Sequence, residues 1–219
     1  IVDKAREKKI KILEVKNFQA VVGKGVEAKL ERKKILLGTR KLMLDNKINP
    51  TSIDNQMVVL EDQGKTAMIL ALANKIIGIV AVADVLKDHS KEAVIALHKI
   101  GKQVAIITGD NKRVAEAIAK ELGIDRVLAE VLPQGKSDEI KKLQEEGKIV
   151  AMVGDGINDA PALAQANLGI ALGSGTDVAM ETGEIVLIKD DLRDVIIAID
   201  LSKYTLNKIK QNLFWAFFY

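Results

Sequence analysis

The 219-residue chain contains no cysteine, which excludes a disulfide framework and any thiolate metal centre among these residues. It has only two histidines. His89 and His98 lie on or beside an amphipathic segment with nothing at metal-ligand spacing around them, so they read as solvated or packed side chains. Aromatic residues make up 3% of the sequence, and no arginine-rich stretch interleaves with them, so a nucleic-acid surface is not indicated. No signal peptide is present. The chain starts at Ile1, which reads as a cut end. The apolar tail from Leu213 to Tyr219 falls far short of the roughly 20 residues that span a bilayer.

Hydrophobic residues are 48% and charged residues 29% of the sequence, enough for one large domain or two small ones. The net charge of +3 is a weak argument for an anionic partner such as a nucleotide, and an ordinary lysine-rich surface accounts for it. From about Phe18 to Ala83 the pattern is one of short strands. Val26–Glu31 alternates apolar and charged residues, the period of a half-solvated strand. Further strands are expected at Lys34–Leu37, Ala67–Leu72 and Ile76–Val82. Helices are expected at Arg40–Asp45 and Thr51–Leu60, the second capped by Thr51 or Ser52.

From about Asp84, strands and helices alternate. Helices are expected at Ser90–Ile100, Val114–Leu122 and Ser137–Glu146, stopped by Gly101, Gly123 and Gly147, with Ser137 capping the last. Val104–Ile107 and Ile149–Val153 read as fully buried strands, with more at Arg126–Ala129, Gly169–Leu172 and Ile185–Ile188. This order predicts a doubly wound parallel sheet, so the fold class is α/β with a smaller α+β domain built on an antiparallel sheet. The expected domains are residues 1–82 and 83–203, followed by a helix over 204–219. That helix docks on the core or begins a membrane segment with Trp215 near the interface.

In open parallel sheets, ligands bind beyond the carboxyl ends of the strands. Thr108-Gly-Asp-Asn111 follows one such strand, and Gly154-Asp-Gly-Ile-Asn-Asp159 follows another. Their oxygen side chains suit a hard cation. Asp155 and Asp159 are four apart, so a helical turn near Asn158 aims both at one point. Carboxylates beside a phosphate need a cation between them, with Mg²⁺ the best fit. Thr108 offers a hydroxyl and loop N–H groups to phosphate, and Lys136 in Pro133-Gln-Gly-Lys136 offers a point charge. Singly, each element reads as a turn or a surface lysine. Together, in this order, they point to phosphoryl chemistry. Gly23-Lys-Gly25 is weaker, marking a bend or bulge when alone.

At Thr108–Asn111, Pro133–Lys136 and Met152–Leu163 the chain resembles heavy-metal-transporting P-type ATPases, and the resemblance continues through Gly173–Ala179 and Asp190–Arg193. Asp84 and Lys87 resemble the family's lead into its phosphorylation domain. Gly23, Gly25 and Gly38 resemble its nucleotide-binding glycines, with Ala28 where a third glycine of the motif can stand. Lys210–Tyr219 is similar to the start of a membrane helix in copper(I) pumps, Tyr219 matching a tyrosine of the metal pathway. The resemblance implies a haloacid-dehalogenase-like phosphorylation domain beside a nucleotide-binding domain. ATP then donates its γ-phosphoryl group to an aspartate with Mg²⁺ as clamp. Asp155 and Asp159 hold the metal, Asn158 positions it, and Thr108, Gly109, Asp110 and Lys136 hold the phosphate. The implied setting is a membrane protein with this segment on the cytoplasmic side, partnered by an actuator domain and copper-conducting helices. The phosphorylated Asp-Lys-Thr-Gly-Thr strand and a Ser-Glu-His-Pro helix do not occur in these residues and are expected upstream of Ile1. A soluble phosphatase of the dehalogenase type and a catalytically dead nucleotide-binding remnant remain the alternatives.

Overall fold

The computed structural model describes residues 2–9, 13–83, 86–155, 157–173 and 181–218. Asp84, Tyr219 and the 174–179 part of the Gly173–Ala179 motif, singled out above, lie outside the described residues. The chain divides into two compact units, Ile1–Asp84 and Val85–Tyr219.

The first unit opens with helix α1 (Val2–Glu7) and continues as an antiparallel meander of β1 (Lys16–Val21), β2 (Gly25–Leu30), β3 (Lys33–Gly38), β4 (Lys65–Leu72) and β5 (Lys75–Ala83), paired in chain order. Helices α2 (Arg40–Asp45) and α3 (Asp54–Asp62) fall between β3 and β4. In β4 the pleat sends Ala67, Ile69 and Ala71 inward, where they meet Leu36, Leu42, Met43, Ile48 and Met57. Thr39 caps α2 by accepting a hydrogen bond from Leu42 N. The expected cap at Thr51 or Ser52 is not made. Thr51 donates both its N–H and its hydroxyl to Asn49 Oδ1, a local turn that competes with capping, and α3 starts at Asp54 after a short 3₁₀ turn over Thr51–Ile53.

Arg40 locks α2 to α3. Its guanidinium donates to both oxygens of Glu61, at 2.5 and 3.1 Å, and to Asp54 at 2.6 Å. The Glu61 side chain is 2% exposed, so this pair closes a deeply buried carboxylate with charge-assisted bonds. The Glu61 hydrogen bonds, and then those to Asp54, hold the Arg40 pKa above its usual value against the opposing effect of burial.

The second unit alternates as expected. It runs α4 (Ser90–Lys99), β6 (Ala105–Ile107), α5 (Lys112–Leu122), β7 (Arg126–Leu128), α6 (Lys136–Glu145), β8 (Ala151–Gly154), α7 (Ala160–Gln165), β9 (Leu168–Leu172), β10 (Ile185–Leu187) and α8 (Arg193–Phe218). Among the described residues its strand pairings are all parallel, in two ladders, β6–β7 and β8–β9–β10. Gly123 takes a left-handed conformation at the end of α5, as its place in the sequence predicts. Ser137 does not cap α6. That helix begins one residue earlier, and the Ser137 hydroxyl donates to the Gln134 carbonyl.

The two strands read as fully buried are not. β6 carries an exposed residue and two half-buried ones, and Ile149, just before β8, is 91% exposed. The reason is topological. Among the described residues β6 pairs only with β7, and β8 only with β9, so each keeps one open edge. Lys148 Nζ donates to Gln103 Oε1 at 3.1 Å and ties the residues leading into the two strands.

Candidate active site

The Thr108, Pro133–Lys136 and Gly154–Asp159 loops each follow the carboxyl end of a parallel strand, and hydrogen bonds connect them in series. After β6, Thr108 N donates to Leu128 O, at the end of β7. The Thr108 hydroxyl donates to Asp110 Oδ2 at 2.9 Å and accepts from Asp110 N at 3.1 Å, which folds the loop on itself. Asn111 then caps α5 through Val114 N. The carbonyls of Thr108 and Asp110 accept from the N–H groups of Val131 and Glu130. The Thr108 loop is thereby fastened to the strap that leads into the Pro133–Gly135 turn and Lys136.

Lys136 closes the series. Its ammonium donates to Asp159 Oδ1 at 2.5 Å, with the side chains 18% and 12% exposed. Asp159 stands at the N-cap position of α7 yet makes no side-chain capping bond there; its carboxylate turns to the lysine instead. Gly154 makes the turn feasible, because a Cβ at this position would lie 2.8 Å from the Asp159 Cβ. The glycine therefore clears space for a carboxylate. Asn158, on the same 3₁₀ turn, is exposed.

Asp155 takes a different cation. Lys87 Nζ lies 3.2 Å from Asp155 Oδ2 and also donates to Asp190 Oδ1. Burial lowers the Lys87 pKa, but the hydrogen bonds to Asp190 and Asp155 outweigh it and hold the ammonium above the usual lysine value. Asp155 and Asp159 thus each face their own lysine. Asp190 was legible only as part of a motif, and its place beside Asp155 had no local signal, since Lys87 and Asp190 are 103 residues apart.

No group of three or more acidic or histidine side chains at metal-binding spacing occurs among the described residues. Mg²⁺ keeps several waters and takes one or two carboxylates together with phosphate oxygens. Asp155, half exposed, is a fitting ligand of that kind.

In the first unit, Gly23 takes φ +67° in the turn joining β1 to β2. Gly25 and Gly38 face one another across β2 and β3. A Cβ on Gly25 would lie 2.2 Å from the Leu37 carbonyl oxygen, and one on Gly38 2.2 Å from that of Lys24. The glycines let two strands and the start of α2 meet at one corner, where Thr39 N donates to Lys24 O at 2.8 Å.

A profile of the haloacid dehalogenase-like hydrolases matches residues 1–167. The chain belongs to this family. Within it, the chain is a homologue of P-type ATPases, which are ion-translocating hydrolases. Over its whole length it is 51% identical to copper-exporting P-type ATPases of Staphylococcus aureus, strains MW2 and JH9 among them. It spans 27% of the length of those relatives. Among solved structures, a zinc-transporting PIB-type ATPase in the E2.Pi state superposes with a TM-score of 0.67 at 36% identity, covering 96% of this chain and 34% of that one. The catalytic CPx-ATPase domain CopB-B superposes with a TM-score of 0.62 at 27% identity, covering 90% of this chain and 70% of that one. The antiparallel first unit and parallel second unit are the nucleotide-binding and dehalogenase-like parts of that fold.

Proposed function

We propose that this chain is the ATP-binding and phosphoryl-transfer part of a copper-transporting P-type ATPase, the first unit holding nucleotide and the second handling phosphate. The Lys136–Asp159 contact carries the reading. It joins the strand-end loops that hold Thr108 and Asp155 through the Val131 strap, which gathers hydroxyl, ammonium and carboxylate groups at the carboxyl ends of parallel strands. Such a set suits a phosphoryl group with a divalent cation. Asp155 is the Mg²⁺ ligand in this reading, assisted by Asp159 and Asn158, and the bound cation supplies charge neutralisation for the transferring group. Thr108, the Gly109 and Asp110 backbone and Lys136 hold the phosphate oxygens. To reach them, the Thr108 hydroxyl must leave Asp110, and Lys136 must share its charge between Asp159 and the ligand. Gly23, Gly25 and Gly38 shape the corner offered to the nucleotide.

No Asp-Lys-Thr-Gly-Thr sequence occurs in the 219 residues, so the proposal assigns the acceptor aspartate to polypeptide outside them. The open edges of β6 and β8, with their lead-in residues tied by Lys148 and Gln103, support a further parallel strand in that role. The antiparallel first unit and the identity with ATPases along the whole chain favour this reading over a soluble phosphatase. Copper as cargo rests on the relatives, which also favour a membrane setting. The test is a longer polypeptide carrying this chain, incubated with γ-labelled ATP and Mg²⁺. A hydroxylamine-sensitive aspartyl phosphate should form, stimulated by copper(I) and about 100- to 1000-fold weaker in Asp155→Asn. ATP cleavage without such an intermediate, or labelling that ignores Asp155, would refute the assignment.

A further inference from the structure

Lys87 and Lys136 both meet carboxylates of the phosphate site, but they are held differently. The Lys136 ammonium donates to Asp159. The Lys87 ammonium is shared between Asp155, at 3.2 Å, and Asp190, which it approaches more closely. The Lys87 carbonyl accepts from the N–H and the hydroxyl of Ser90, at 3.2 and 2.6 Å, and Ser90 is buried at the start of α4. Asp190 lies just beyond β10. Lys87 is therefore fastened at both ends by groups outside the Asp155 loop, its main chain by α4 and its ammonium by the exit of β10.

The contact engages Oδ2 of the half-exposed Asp155 carboxylate, and a carboxylate has a second oxygen with which to meet a cation. A divalent cation on Asp155 competes with Lys87 for that charge. It does not drive the ammonium far, because Asp190 and the Ser90 anchor keep the lysine beside the loop. The two positive centres then repel each other. For a unit charge and a dication about 6 Å apart, the repulsion costs about tenfold in affinity even at the dielectric of water. Phosphate reverses the balance. The ammonium attracts it, and a dication joined to a phosphate dianion carries no net charge for Lys87 to oppose. Lys87 thus acts against the bare cation and is nearly indifferent to the cation–phosphate pair.

We propose that Lys87 is a specificity-determining residue of the cation site, a tethered charge that disfavours a bare divalent cation at Asp155 and favours one paired with phosphate. Asp190 is the tether. The inference rests on Asp155 as the cation ligand, the role assigned to it above, and adds which form of the cation that ligand accepts.

Mn²⁺ is the probe, because its paramagnetic resonance signal reports the free ion without any turnover. A longer polypeptide carrying this chain is titrated with Mn²⁺ at low ionic strength, where charge repulsion is least screened, with and without inorganic phosphate. K87Q should raise the affinity for Mn²⁺ alone about tenfold and change the affinity at saturating phosphate by less than about threefold. K87R keeps the charge and should behave as the parent does. Damage to the fold would weaken binding, so a gain in K87Q cannot come from misfolding, and circular dichroism checks each variant. D190N frees the ammonium to settle on Asp155 and should weaken Mn²⁺ binding about threefold, with a smaller loss when Lys87 is already Gln. Affinity for bare Mn²⁺ that fails to rise in a folded K87Q, or that rises equally with and without phosphate, would overturn the proposal. Parental or tighter Mn²⁺ binding in D190N would do the same. D155N should abolish the Mn²⁺ site in the parent and in K87Q alike. Binding that ignores D155N would refute the ligand assignment itself, whereas a site that needs Asp155 and ignores Lys87 would refute only the present inference.

Discussion

Replacing Gly38 by alanine would set a methyl carbon 2.2 Å from the Lys24 carbonyl oxygen, 2.7 Å from Leu42 Cδ2 and 3.0 Å from Gly25 Cα. Two of these neighbours are backbone and cannot swing aside. The strands must part by about 1 Å to restore ordinary contact, and the first bond to suffer is Thr39 N to Lys24 O, now 2.8 Å. That bond fixes the residue that caps α2. Overpacking costs about 1–3 kcal/mol and the lost hydrogen bond about 1 kcal/mol, so Gly38→Ala should destabilise the first unit by about 2–4 kcal/mol. Gly78 in β5 is the control, because a Cβ there meets nothing within 4 Å, and Gly78→Ala should stay within about 0.5 kcal/mol of the parent. Hydrogen exchange read by mass spectrometry on peptides spanning residues 33–46 localises the effect. Protection in β3 and α2 should fall roughly 30- to 1000-fold in Gly38→Ala and stay put in Gly78→Ala. Parental protection in Gly38→Ala would refute the packing argument. If ATP affinity fell while protection held, Gly38 would serve the nucleotide and not the strand contact.

Arg40→Ala strips Glu61 of its bidentate partner and should cost about 2–4 kcal/mol in urea unfolding, with Arg40→Lys recovering only part because a single ammonium cannot match two oxygens. A loss under about 0.5 kcal/mol would show that Glu61 is satisfied without Arg40. The hydrogen bonds from the Arg193 side chain, and then its backbone N–H, lower the Asp191 pKa from 3.8 to about 2. This depressed carboxylate favours the folded state above pH 3.8, and the benefit disappears as pH falls toward 2. In Arg193→Gln a carboxyl NMR titration should find Asp191 raised toward 3.8 but short of it, because the backbone N–H of residue 193 still donates, and an unmoved value would exclude the side-chain contact as the main cause. Lys136→Gln in a longer polypeptide that forms the aspartyl phosphate should slow its formation about 100- to 1000-fold. A rate unchanged at saturating Mg²⁺ would remove Lys136 from the phosphate site.

Much of this architecture is legible in local patterns. The alternation in Val26–Glu31 returns as β2, the apolar periodicity of Val114–Leu122 as α5, and Gly123 as its left-handed stop. The place of the residues proposed for chemistry is readable too, because Thr108, Lys136 and Asp155 sit beside strand ends that fix where their loops must emerge. The misreadings share one origin. Ser137 and Thr51 were good caps by residue type, but a neighbouring carbonyl and the Asn49 side chain claimed their hydrogen bonds. Val104–Ile107 and Ile149–Val153 were apolar enough for a sheet interior, yet their burial depends on neighbours that no run of four or five residues encodes.

The sequence by itself determined the order of elements, the parallel and antiparallel halves, and the residue types at the strand tips. These follow from steric and hydrophobic periods that act within one or two helical turns. Only the tertiary structure decided that Asp159 takes Lys136 while Asp155 takes Lys87, that Gly154 makes room for a carboxylate, and that among the described residues β6 and β8 each keep an open edge. Such pairings join groups 23 to 103 residues apart. Coulomb attraction and packing select among them only after the chain has folded, and those forces depend on distance in space, not on position along the chain.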